Sequence, residues 1–179
     1  LPILGNILIS ATKNIVELCK KFNSKMIFIS TDYVFDGTKG LYKEKDVINP
    51  INFYGKTKVI GEWLTNDISD SIIIRTSALL SNKQHNYLAV MLNNLEKGHI
   101  EAITDLISSP TLVSELSEAI NQIINKNLKI SGIYHMAGDT RISRYELAKK
   151  IAKSFGYNPD TVKPVTWKEL GFKAPRPRD

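Results

Sequence analysis

The chain has 179 residues, 42% of them hydrophobic and 23% charged, which fits one ordinary globular domain with enough mass for a real core. The net charge is +6, but the lysines are scattered and no basic stripe interleaved with aromatics is present, which argues against a nucleic-acid binder. No apolar run approaches the ~20 residues of a membrane helix. A single cysteine, Cys19, excludes an internal disulfide and suits a reducing cytoplasm.

The opening L-P-I-L-G-N-I-L-I lacks an initiating methionine and a preceding basic stretch, so it is no signal peptide, and the chain reads as a piece of a longer one. Leu8, Ala11, Ile15, Leu18, Cys19 and Phe22 recur at helical spacing and predict an amphipathic helix with Cys19 as a small core residue. Lys25 to Ser30, K-M-I-F-I-S, predicts a buried strand. A polar connection runs from Thr31 to Pro50, with a turn signal at Asp36-Gly37. Phe53 to Asn66 predicts a helix burying Val59, Ile60, Trp63 and Leu64. Ser71 to Thr76, S-I-I-I-R-T, is a β-branched strand.

Gln84 to Lys97 predicts a helix capped by Gly98, and Ile100 to Ile103 a short strand. Val113 to Asn125 carries Leu116, Ala119, Ile120 and Ile123 on one side of a further helix. Gly132 to Met136 is a third clear strand. Ser143 and Glu146 make a capping box before a helix ending near Gly156, and Thr166 with Glu169 repeats that pattern before a short helix. The tail A-P-R-P-R-D is irregular. Alternating helices and short apolar strands predict an α/β fold with a mostly parallel sheet.

Tyr54 and Lys58 stand four residues apart on the second predicted helix, and that spacing puts them on one face. The spacing alone carries little. Seven tyrosines and 19 lysines predict roughly 0.7 such pairs by chance, and Tyr145 with Lys149 is another. Position is what separates the two pairs. Ligands of open α/β sheets bind beyond the carboxyl ends of the strands, and Ser30-Thr31-Asp32 ends the strand just before the Tyr54 helix. A nearby ammonium lowers a phenol's pKa, so Lys58 is expected to lower that of Tyr54. Tyr54 then exchanges a proton with a carbonyl oxygen that the Thr31 hydroxyl stabilises. Tyr145 follows a surface capping box and has no such strand end. His85, His99 and His135 are dispersed without paired ligand spacing, so no metal site is expected.

The ordered motifs I-S-T-D-Y-V-F-D-G, Y-x-E-x-D, P-I-N-F-Y-G-K-T-K-x-x-G-E, I-I-I-R-T-S, S-P-T and R-P-R-D run from about Ile7 to Asp179. Together they resemble the extended short-chain dehydrogenase/reductases, and most closely the dTDP-4-dehydrorhamnose reductase group. The resemblance implies a partial Rossmann-like parallel sheet with helices on both faces, plus a small C-terminal substrate-binding region. About 1–80 and 113–140 would form the first portion, and about 81–112 and 141–179 the second, within one truncated unit. It implies reduction of the 4-keto group of a nucleotide-linked deoxysugar with NADPH or NADH, in the cytoplasm. Thr31, Tyr54 and Lys58 match the catalytic trio, and the lysine also meets the nicotinamide ribose. Ser30 matches a cofactor-lining position; Thr31, Asp32, Arg75 and Ser77 match positions lining the substrate. A nucleotide sugar is the implied partner, and a homodimer is compatible with this reading. Asp32-Tyr33 after the threonine fits carbonyl reduction better than the Asp-Glu of the dehydratases.

The chain departs from that pattern in several places. No three of its ten glycines have the spacing of a dinucleotide-binding turn, so the first βαβ units are expected to lie outside this chain, which alone is expected to be inactive. Ala78 stands where tryptophan is usual, removing a large apolar contact surface. Ile7-Leu8-Ile9 replaces valine-asparagine-valine. Two other readings stay open. One is a non-catalytic subunit resembling the methionine adenosyltransferase β subunit, which shares Y-V-F-D-G, Y-G-K-T-K and R-P-R. The other is a nucleotide-sugar epimerase.

Overall fold

Two β-branched runs make the core strands of the computed structural model, which describes residues 2–81 and 87–179. In chain order the elements are α1 (Pro2–Lys21), β1 (Ile27–Thr31), α2 (Phe53–Asn66), β2 (Ile72–Thr76), β3 (Leu79–Leu80), α3 (Tyr87–Glu96), β4 (Ile100–Ile103), β5 (Ile107–Ser108), β6 (Thr111–Leu112), α4 (Val113–Asn125), β7 (Gly132–His135), β8 (Ile142–Ser143), α5 (Arg144–Ser154) and β9 (Val162–Val165). The expected α/β class is what the chain adopts. The chain divides into two compact units. Leu1–Thr76, Ala119–Met136 and Pro175–Pro177 form the first, and Ser77–Glu118, Ala137–Ala174 and Arg178–Asp179 the second.

The first unit is built on a three-stranded parallel sheet in the order β1-β2-β7. Ile27 pairs with Ile72 and Thr31 with Thr76, while Ile72 and Arg75 pair with Gly132 and His135. Every residue of β2 is buried, which is why it reads as an unbroken apolar run apart from Arg75. The crossover from β1 to β2 is α2, capped by Asn52, whose side chain accepts from Gly55 N at 2.8 Å.

The buried face of α2 differs from the expected one. Trp63 is 64% exposed, whereas Gly55, Thr57, Val59, Gly61, Glu62 and Thr65 are buried. Small residues face inward because the helix lies very close to its neighbours. A Cβ on Gly61 would come within 2.4 Å of the Phe28 ring, and one on Gly55 within 2.2 Å of the Tyr33 carbonyl oxygen.

The second unit holds three strand pairs. β4 and β9 are parallel, β3 and β6 are parallel, and β5 and β8 are antiparallel. Its core gathers Met91, Leu95, Ile100, Ala148, Ala152 and Val162. The capping box of α5 forms as expected, with Ser143 and Glu146 reciprocally bonded. Thr166 and Glu169 make the same reciprocal contacts but cap only a turn, not the expected helix. Two-residue strands and the proline-containing V-K-P-V of β9 carry too little periodicity to be read from sequence. The tail is anchored: Arg178 Nη1 donates to Asp105 at 2.6 Å, Ile107 N donates to Arg178 O, and Arg141 pairs with Asp179. Residues 84–86 of the expected third helix, His85 included, lie outside the described residues.

The α1 helix has two stripes. Gly5 and Val16 are buried, and α1 packs along α2. Ile7, Leu8, Ile15, Leu18 and Phe22 are exposed, Phe22 to 67%. An apolar stripe of this length left in water drives association. The isolated 179-residue chain is therefore expected to sediment as concentration-dependent oligomers, and Leu18→Lys with Phe22→Lys to shift it toward monomer. A monomeric unmodified chain with a sharp cooperative melt would contradict this.

Candidate active site

The carboxyl end of β1 and the first two turns of α2 carry the residues in question. Thr31 is the last residue of β1 and caps the 3-10 turn Asp32–Val34, its hydroxyl oxygen accepting from Tyr33 N at 3.3 Å. The same hydroxyl donates to Asp32 Oδ1 at 2.9 Å. Tyr54 lies half-exposed on the first turn of α2, with the Tyr33 ring edge-on to it at 5.7 Å between centroids. Lys58, one turn further, donates from Nζ to the Ile29 backbone oxygen and sits 4.3 Å from the centre of the Phe28 ring.

The electrostatics differ from expectation at Tyr54. Burial pushes its phenol above the ordinary value, a hydrogen bond with Thr31 pulls it back, and Asp32 and Tyr33 add to the rise. The Lys58 ammonium is turned to the Ile29 oxygen and does not produce the expected lowering. Burial pushes Lys58 down, and the negative charge of Glu62 opposes that. The result is a phenol held in its protonated form at neutral pH.

Behind these groups lies a buried cluster. Arg75 Nε donates to Glu62 Oε1 at 2.9 Å and Nη2 donates to Oε2 at 2.7 Å, with both side chains only 4% exposed. The Ser30 hydroxyl donates to Glu62 Oε1 as well. Arg75 Nη1 donates to the Glu44 backbone oxygen at 3.2 Å, and its guanidinium lies 5.2 Å from the centre of the Phe35 ring. The Glu44 carboxylate accepts from His135 N at 3.0 Å, so the loop after β1 is tied to the ends of β2 and β7. Hydrogen-bonding capacity remains at this end of the sheet, where Thr76 Oγ1 and His135 Nε2 are buried without partners.

Ser30, Thr31, Asp32, Tyr54, Lys58 and Arg75 thus gather in the first unit. Ser77 falls in the second, buried at its first residue, and Ala78 beside it adopts a left-handed φ of 42°. The Ser30 hydroxyl and the Arg75 guanidinium are both bonded to Glu62 and buried. Glu62 was read only as the closing residue of the motif P-I-N-F-Y-G-K-T-K-x-x-G-E and was given no role, although it continues the line from Tyr54 and Lys58 by one further turn. No group of three or more His, Cys, Asp or Glu suited to a metal ion occurs among the described residues.

A nicotinamide cofactor fits one end of this arrangement. An ammonium has three donors and the Ile29 oxygen takes one from Lys58, leaving donors of the kind a ribose diol accepts. The residues present supply no glycine-rich cradle for a pyrophosphate.

The loop after β1 also holds a strongly depressed acid. Asp36 accepts from Tyr42 OH, Thr38 N, Asn49 Nδ2 and the Thr38 hydroxyl, which together hold its carboxyl far below the usual range. A depressed carboxylate stabilises the fold above its unfolded value, about pH 4, and that contribution fades as the pH falls toward the folded value. Acidification below about pH 4 is therefore expected to lower the hydrogen-exchange protection factor of Thr38 before those of β2. An Asp36→Asn chain should show faster exchange at Thr38 already at neutral pH. Equal protection in both chains would refute the assignment.

Comparison with known proteins identifies relatives over nearly the whole chain. The RmlD substrate binding domain model matches residues 6–179. The spore coat polysaccharide biosynthesis protein SpsK of Bacillus subtilis is 37% identical over 161 residues, covering 88% of this chain and 55% of that protein. Methionine adenosyltransferase 2 subunit beta of Bos taurus is 29% identical over 181 residues, covering 96% of this chain and 54% of that protein. The crystal structure of dTDP-4-dehydrorhamnose reductase from Bacillus anthracis in complex with NADP superposes with a TM-score of 0.88 at 32% identity, covering 93% of this chain and 59% of that one. The chain spans about half the length of the curated relatives it matches.

Proposed function

The chain belongs to the RmlD substrate binding domain family, and from that premise we propose that the intact protein reduces the 4-keto group of a nucleotide-linked deoxysugar with NADPH or NADH in the cytoplasm. The observation that carries this reading is the placement of Thr31, Tyr54 and Lys58 at one strand end, with the tyrosine held protonated by burial. Similarity to a dTDP-4-dehydrorhamnose reductase crystallised with NADP supports the choice of substrate class and cofactor.

In this reading the bound nicotinamide supplies the hydride to the carbonyl carbon. As the carbon–oxygen π pair moves onto oxygen, the Tyr54 phenol transfers its proton there and the Thr31 hydroxyl donates to the same oxygen. Lys58 holds the ribose through its remaining donors. Asp32 contacts the sugar. Arg75 and Ser30 act from beneath by holding α2 through Glu62. Segments 1–80 and 113–140 form the nucleotide-fold portion, and 81–112 and 141–179 the substrate portion.

A second reading rests on Ala78. Its methyl offers little apolar surface to a sugar, which favours a non-catalytic binding subunit like the β subunit of methionine adenosyltransferase, similar over 96% of this chain. Turnover separates the two. The full-length protein is expected to oxidise NADPH in the presence of a nucleotide-linked 4-ketosugar, and Tyr54→Phe to lower kcat by about a hundred- to ten-thousand-fold. Failure of the full-length protein to oxidise NADPH with any such sugar would favour the binding subunit.

The reaction should also be lost at high pH. Reduction needs the protonated phenol, whose value burial raises above the ordinary ~10, so the rate falls only as pH rises through that raised value. An alkaline limb centred near neutrality would be inconsistent with Tyr54 as the acid.

A further inference from the structure

We propose that Glu62 is a positioning residue for the reaction, its carboxylate clamped by Arg75 and Ser30 so that α2 is fixed on the sheet and the carboxylate is held one helical turn from Lys58. The inference rests on the roles given above to Tyr54 in proton transfer and to Lys58 at the ribose, and it adds a group that touches neither substrate nor cofactor.

Three observations converge on it. First, Tyr54, Lys58 and Glu62 follow one another at intervals of four and so form one line along α2. Second, Glu62 is 3% exposed, a cost in desolvation that only a fully bonded carboxylate tolerates, and its bonds are of the charge-assisted, forked kind. Both oxygens are occupied, by Arg75 Nε, Arg75 Nη2 and the Ser30 hydroxyl. The partners come from β1 and β2, adjacent in register, so the carboxylate pins the helix to two strands at once. Third, Lys58 has no carboxylate of its own to offset burial. It rests on the Phe28 ring and the Ile29 oxygen, and Glu62 is the charge that favours its ammonium form.

The groups facing this pair are few. On α2 they are Tyr54 and Lys58. From β1 comes Ser30, and from the turn after it Asp32. Arg75 comes from β2 and His135 from β7, with Glu44 reaching in from the loop. Arg75 is already neutralised by Glu62 in geometry, and the Glu44 carboxylate is occupied by the His135 amide. Of these groups, Glu62 is the charge that opposes the effect of burial on Lys58. Arg75 and Ser30 keep that charge from moving, because a carboxylate fixed by three donors has no rotamer in which to turn away.

The test measures Lys58 directly in the full-length protein, by competitive acetylation with peptide-level mass spectrometry across a pH series. Glu62→Gln is expected to speed labelling of Lys58 about threefold or more at a fixed mildly alkaline pH, because loss of the neighbouring negative charge releases the free amine. Labelling of exposed Lys13 should stay constant. Because Glu62→Gln leaves Arg75 as an unpaired buried charge, the double variant Glu62→Gln/Arg75→Gln is measured beside it and is expected to show the same faster labelling. Unchanged Lys58 labelling in a folded variant overturns the inference, whatever the activity. If the wild-type protein turns over no 4-ketosugar, the reductase reading fails, and the labelling still decides whether Glu62 governs Lys58. If turnover is present, the KM for NADPH in Glu62→Gln should rise as the pH passes the Lys58 labelling midpoint while the alkaline limb of kcat, set by Tyr54, stays in place, and an unchanged KM overturns the positioning role.

Discussion

The Glu62–Arg75 ion pair is the constraint from which the arrangement of the first unit follows. Two opposite charges, each 4% exposed, survive inside a protein only when their geometry is nearly ideal, and here the pairing is forked and reinforced by a serine. A pair of that kind ties three elements together. Glu62 belongs to the helix, Arg75 to the middle strand and Ser30 to the strand beside it. The remaining guanidinium nitrogen holds the loop that follows β1 through the Glu44 carbonyl. Thr31 and Tyr54 come to one place because the structures carrying them are fastened to the same buried charge.

Close approach is the second half of that constraint. A helix can pin its carboxylate into a sheet only if its backbone comes near enough, and Gly55 and Gly61 provide the room against the Tyr33 carbonyl and the Phe28 ring. Phe28 then serves twice, filling the space opposite Gly61 and presenting its face to the Lys58 ammonium. Packing and charge placement are thus one problem at this helix. Substituting Gly61 alters the surroundings of Lys58 through the Phe28 ring that lies against both.

Much of this was legible in the sequence, and the limits have physical reasons. The three strands of the central sheet and the helices among the described residues announce themselves through β-branched runs and helical periodicity, with boundaries off by a residue or two at the strands and by more at α1. The trio Thr31, Tyr54 and Lys58 was legible because order along the chain places a hydroxyl at a strand end ahead of the helix. The burial of Trp63 was misjudged because periodicity marks an apolar stripe without saying which neighbour covers it, and here the close face of α2 is made of glycine and threonine. The direction of the Tyr54 shift was misjudged because spacing brings two residues to one face but does not orient an ammonium, which turned to a backbone oxygen instead. Glu62 stood at the end of a quoted motif, but its burial was hidden for a related reason: a glutamate on a helix usually faces water, and only the arginine inside a wholly buried strand hinted that a carboxylate had to lie within reach.

The crossover from β1 through α2 to β2 has a kinetic meaning. Ser30, Glu62 and Arg75 fall within one continuous stretch, and the residues that close the ion pair are only 13 positions apart. Loop closure over so short a separation costs little entropy, and contacts of low sequence separation form early in folding. The buried ion pair is thus closed within the β1–α2–β2 segment itself, over a separation that costs little chain entropy.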